Sequence, residues 1–128
     1  MGANADVVRS AWEALGRGDM EHMASAFDDS AEIVLPESLP WGGTYRGPDG
    51  LKEMFGTFRG QLEDFRPSPE GFFEADNDHV FVPLDIQART KAGKDMSGRA
   101  LWMYRLRGGK IVRAEIFVDT ADTLEAVR

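Results

Sequence analysis

The residue best placed for chemistry in this chain is Asp119, which ends the alternating run of "KIVRAEIFVD". Alternation of this kind predicts a half-buried strand. A carboxylate closing such a strand costs free energy unless something pairs with it or uses it. Strict alternation puts Ile111, Arg113, Glu115, Phe117 and Asp119 on one side, with about 6.6–6.8 Å between successive side chains. Glu115 and Asp119 are then two steps apart, too far to bond and close enough to shape one cavity. Arg99 on a neighbouring strand is a cation that can neutralise one of them, leaving the other carboxyl with a raised pKa. Two structural readings compete. Glu115 and the arginines can form an exposed ladder of ion pairs, and Asp119 or Thr120 can cap a short helix in "DTADTLEAV".

The aromatic residues are the next candidates. Trp41 and Tyr45 lie in "PESLPWGGTYRGPDG", where a ligand contact competes with a loop anchor buried against a helix. Trp102 and Tyr104 share one face of a strand and can line a pocket or fill core. Phe55 belongs to a helical stripe that serves either as core or as pocket wall. His22 and His79 are far apart and lack a second ligand at metal spacing. No Ser-His-Asp order, phosphate-cradling loop or dinucleotide fingerprint is present, so no cofactor is expected.

The elements that must position these residues follow from periodicity. Val8, Trp12 and Leu15 predict a helix over residues 5 to 15, capped by Asn4 or Asp6. Arg17-Gly18-Asp19 reads as a turn, with Asp19 capping a second helix. "AEIVL" predicts a strand, and the proline- and glycine-rich stretch after it a loop. Pro48 suits a helix start, and Leu51, Met54, Phe55, Phe58 and Leu62 form a stripe running to about Phe65. Beyond Phe72 the period becomes two, predicting strands in "GFFEAD", "NDHVFVPLDIQART", "GRALWMYRLR" and "KIVRAEIFVD". Three helices packed on one face of an antiparallel meander make an α+β fold. The second face is apolar in places and needs a cover, for which a partner subunit is the simple answer.

With 128 residues, the chain 1–128 is expected to form one domain. A net charge of −7 disfavours nucleic acid and anionic membranes as partners. The absence of cysteine removes disulfides and thiolate chemistry. "MGANADVVRS" lacks the apolar core of a signal peptide, so a cytoplasmic location is expected.

Three phrases in this order resemble the SnoaL-like group of the NTF2-like superfamily: "AWEALGRGDMEHMASAFDDSAEIVLP", "YRGPDGLKEMF" and "RLRGGKIVRAEIFVDTADTLEAV". The resemblance implies a cone-shaped fold in which a strongly curved sheet wraps a long helix around a mostly apolar pocket. It also implies a homodimer through the convex sheet face. In polyketide cyclases of this type the last strand carries a general-base aspartate, and its position matches Asp119. The side from Glu115 to Asp119 would then line the pocket and partly desolvate Asp119, favouring abstraction of a C–H proton beside a carbonyl. Trp41, Tyr45, Phe55, Trp102, Tyr104 and Phe117 would form the apolar wall, with Glu115 and Arg99 as polar partners. Steroid isomerases of the fold place their tyrosine and aspartate where this chain has Ala11 and Leu35, which cannot move a proton. The Asp-Arg-Asp set of the fold's epoxide hydrolases has only loose counterparts in Asp85, Arg89, Arg99 and Asp119. The expected function is a cofactor-independent isomerase or cyclase acting on a small apolar carbonyl compound. A non-catalytic binder of a small hydrophobic molecule, an epoxide-hydrolase-like enzyme and an accessory subunit are the alternatives.

Overall fold

The structure, a computed structural model, describes residues 2–119. Helix α1 (Ala3–Gly16) buries Val8, Ala11 and Trp12, the face its periodicity marks. Its amino end is not capped by Asn4 or Asp6. Asp6 pairs with Arg9 at 3.0 Å, and the Asn4 side-chain amide donates to the Asn77 carbonyl at 2.7 Å. The Glu74 carboxylate instead accepts from the Ala5 backbone N–H at 3.1 Å, so a strand supplies the negative group that this helix end favours. Helix α2 (Met20–Ser25) begins as its sequence predicts, with Asp19 accepting from the His22 N–H at 3.0 Å.

Strands β1 (Phe27–Leu35) and β2 (Gly43–Arg46) lead into helix α3 (Gly47–Gln61). The short β2 falls inside the stretch expected to be loop. The helical stripe stops at Gln61 rather than at Phe65, and β3 (Leu62–Pro69) follows at once. Pro67 and Pro69 explain the change. Neither can sit inside a helix, whereas a strand with one unpaired side accepts them. Strands β4 (Phe73–Glu74), β5 (His79–Thr90), β6 (Asp95–Arg107) and β7 (Lys110–Val118) complete the chain's described elements. Gly108 and Gly109, at φ 58° and 79°, make the left-handed two-residue turn between the last two.

These strands build one curved sheet in the order β2-β1-β7-β6-β5-β3, with β4 beside the other half of the same edge of β5. All pairings are antiparallel except β1 with β7: the expected meander forms from β4, β5, β6 and β7, and β1 joins it in parallel, which makes the whole sheet mixed. The three helices cover its inner face. Helix α3 packs on β1, β2 and β3, and α1 packs on β4 and β5.

The row of β7 that faces inward is Ala114, Ile116 and Val118, not the row that includes Glu115 and Phe117. A bulge between the pairs Arg105–Arg113 and Leu106–Ile111 leaves Val112 as an extra residue and brings Ile111 to the inner face as well. Burial of Ile111, Ala114 and Ile116, with Val118 partly buried beside them, sets the register, and the charged row must face out. The proposed helix cap by Asp119 or Thr120 concerns a segment outside the described residues.

Candidate functional site

A chamber opens where the end of β7, the start of β6, the end of α3 and the loop after β1 meet. That loop carries Trp41 into place. Its turn is closed by Leu39 N–H to Pro36 carbonyl at 3.2 Å and Gly42 N–H to Leu39 carbonyl at 2.9 Å. A Cβ on Gly42 would sit 1.9 Å from the Pro36 carbonyl oxygen, so only glycine allows the backbones to approach this closely. Trp41 is 6% exposed, and its ring meets Phe58 edge to face at 5.5 Å. Phe58 meets Phe65 in the same way at 5.3 Å. Trp102, Ile86 and Ile116 supply the floor from the inner sheet face, and Leu35 and Leu62 close the sides. The enclosed space is about 80 Å³, well below the ~300–1,000 Å³ of sites that engulf a drug-sized ligand.

Among the described residues, Ser97, Arg99 and Asp119, all exposed, bring polar side chains to the chamber, at its mouth. Asp119 stands just past the last residue of β7 and is exposed. The sheltered carboxylate expected from sequence is therefore replaced by one at a wet rim. Arg99 lines the mouth, but its guanidinium pairs with Glu70.

The remaining predicted residues lie elsewhere. Glu115 bonds to Arg113 at 2.9 Å, and Arg113 reaches Glu32 at 3.0 Å, which also holds Arg46 at 2.7 Å. Glu115 is thus part of an outer ladder across β2, β1 and β7, the weak surface arrangement that competed with a pocket role. Phe117 is 48% exposed on the same outer face. Tyr45 donates from its hydroxyl to the Trp41 carbonyl at 2.8 Å and so anchors the loop rather than lining the chamber. Phe55 packs against Phe58 at 5.4 Å behind the wall. Tyr104 is core: it is 1% exposed, and its oxygen accepts from the Trp12 indole N–H at 3.0 Å. Burial pushes its phenol well above the ordinary value, opposed only in part by that hydrogen bond.

Trp41, Trp102, Arg99 and Asp119 are the predicted residues that the fold brings together. Phe58, Leu62, Phe65 and the even-numbered pair Ile116 and Val118 are lining residues that the site prediction missed. Phe58 and Leu62 already stood out in the helical stripe, and Ile116 and Val118 belong to the inward row of β7. Leu35, at one catalytic position of the steroid isomerases, is an apolar wall residue here. Of the charges in the epoxide-hydrolase reading, Arg99 and Asp119 share the chamber lining and Asp85 lies opposite Arg99 in the strand register, while Arg89 pairs with Asp95 at 3.2 Å and Arg99 with Glu70. His22 stands 3.3 Å from Ser10, and His79 stands 3.0 Å from Asp76. Among the described residues no cluster of three or more His, Cys, Asp or Glu converges as metal ligands would. Nor is any described helix long and apolar enough to cross a membrane.

A family model of the SnoaL-like domain matches residues 8–114. An uncharacterized protein of Mycobacterium tuberculosis is 27% identical over 130 residues, covering 94% of this chain and 93% of its own. Among solved structures, an NTF2-like protein from Burkholderia thailandensis superposes with a TM-score of 0.92 at 23% identity, covering 100% of this chain and 99% of the other. TerC, co-crystallized with polyporic acid, superposes at 0.89 and 25% identity, covering 98% of each chain. A candidate polyketide cyclase from Xanthomonas campestris superposes at 0.78 and 14% identity, covering 98% and 97%.

Proposed function

The chain belongs to the SnoaL-like family, and from that premise we propose that it is a cofactor-independent, isomerase- or cyclase-like protein that takes a proton from a small carbonyl compound. One observation carries the reading: among the described residues, Asp119 is the one carboxylate on the lining of a mostly apolar chamber. The apolar walls of Trp41, Phe58 and Trp102 hold the hydrocarbon part of the compound, and the carbonyl and its acidic C–H face the mouth. There Asp119 accepts the proton. Asp119 lies at the exposed rim, so a substrate seated across the mouth itself excludes water from the place where the proton moves. Co-crystallization of TerC with polyporic acid supports a small organic compound as the occupant of this fold.

The exposure of Asp119 favours one other reading, a binder that holds such a compound without converting it. Exchange of ketone α-protons with D2O, followed by NMR on small cyclic ketones, separates the two. The enzyme reading expects protein-dependent exchange that drops by about 10²–10⁴-fold in Asp119→Asn, with binding (tryptophan quenching) retained. Equal exchange in both proteins removes Asp119 as base. Ketones that bind and never exchange leave the binder.

The partner expected at the convex face is a second copy of the chain. Phe117, Leu101 and Pro83 surround a shallow outer depression, which supports an apolar self-contact there.

A further inference from the structure

The chamber is too small for most carbonyl compounds that a cyclase would fold, yet a much larger hollow lies immediately behind one of its walls. About 530 Å³ opens between the end of α1, the end of α3 and β3, lined by Trp12, Leu15, Gly16, Phe55, Pro67 and Pro69. Phe58, Leu62 and Phe65 line both spaces. They are a partition one side chain thick.

Three features make this partition the softest part of the wall. It straddles the junction where α3 passes into β3 at Leu62. The pairing of β3 with β5 is irregular there, with a register shift between Leu62 and Asp64. Gly56 and Gly60 sit in the helical turns that carry Phe58 and Leu62, and a Cβ on either would meet nothing within 4 Å. Interior glycines without a packing reason weaken a helix. Phe65, half-buried, closes the partition on a strand that has no neighbour on its far side among the described residues.

We infer that Phe58, Leu62 and Phe65 form a movable partition between the two spaces, so that the ligand is a long, two-part molecule. Its carbonyl head occupies the chamber near Asp119, and an unbranched apolar tail passes the partition into the hollow beside Trp12, Leu15 and Pro67. Arg59, Glu63 and Asp64 at the hollow's edge suit a polar group only at the tail's far end. This inference rests on the carbonyl-binding reading above and adds the length of the molecule to it.

A series of 2-alkanones from five to eleven carbons tests the idea, with affinity read by tryptophan quenching. In the wild type each added methylene should tighten binding about threefold to fourfold, without levelling off at the length that fills the chamber. Gly16→Leu puts bulk into the hollow at an exposed position whose Cβ has open space. It should weaken the long ketones at least tenfold and leave the short ones unchanged. Phe65→Ala should raise the association rate of the long members, and circular dichroism of both variants establishes that they fold. Affinity that stops rising at short chains, or long ketones indifferent to Gly16→Leu, overturns the partition and leaves the carbonyl-binding reading standing. Failure of every ketone to bind overturns both. Loss of proton exchange in Asp119→Asn with the length dependence intact separates the chemistry from the reach.

Discussion

The Trp12–Tyr104 hydrogen bond joins the first helix to the middle of the sheet, and both partners are buried. Tyr104→Phe leaves the indole N–H without its acceptor in the core, a loss of about 1–3 kcal/mol that urea denaturation should register as a lower midpoint with an unchanged slope. The same phenol ties stability to alkaline pH. Because its folded pKa lies well above the ordinary 10.0, the stabilisation is complete below that value. It declines as pH rises past it, since the unfolded chain releases the proton first. The alkaline decline should be shallower in Tyr104→Phe. At this scale the sequence singled out Trp41, Arg99, Trp102 and Asp119, which line one chamber. It misplaced Glu115 and Phe117, because the position of a carboxylate says less about which row of a strand is buried than the apolar row does. Ala114, Ile116 and Val118 are that row. Asp119 lies past the strand's end, where alternation no longer dictates direction.

Among the elements, the loop after β1 has the most exacting geometry. Gly42→Ala places a methyl group against the Pro36 carbonyl, so the loop must shift and Trp41 must leave Phe58. The expected outcome is a fold retained at lower melting temperature, a loss of about 1–3 kcal/mol, and a red-shifted Trp41 emission as the ring meets water. A melting temperature equal to the wild type would show that the loop tolerates the methyl group. The long elements were legible because their periods are strong: α1, α3, β5, β6 and β7 all follow side-chain spacing. The short edge strand β2 was hidden by its Gly-Thr composition. The strand β3 was hidden by Leu62 and Phe65, which happen to continue the helical spacing of α3, although Pro67 and Pro69 already argued against a helix.

For the whole molecule, the outer sheet face is the feature to explain. Phe117 and Phe73 are both large and exposed, and Leu101 and Met103 lie beside Phe117 and Glu115 in the strand register. If a second copy covers this face, wild-type protein should elute with twice the mass of the chain in light scattering. Phe117→Glu, which adds a charge without touching the inner core, should halve that mass while the circular dichroism spectrum stays the same. A wild-type monomer at micromolar concentration would refute the self-contact. The α+β class, the antiparallel meander and the family were readable from the order of phrases, but the parallel junction of β1 with β7 was not. A parallel pairing between the first strand and the last leaves no local mark on either.

That parallel pairing has a temporal consequence. Ile33 lies against Ala114, so during synthesis the early strand is made long before its neighbour exists. Until the last strand leaves the ribosome, one border of residues 27–35 stays open and the sheet stays split in two. Contacts so distant along the chain are slow to form. Translation halted before residue 110 should therefore release a product prone to sticking to its own kind, whereas chains that carry β7 escape that fate.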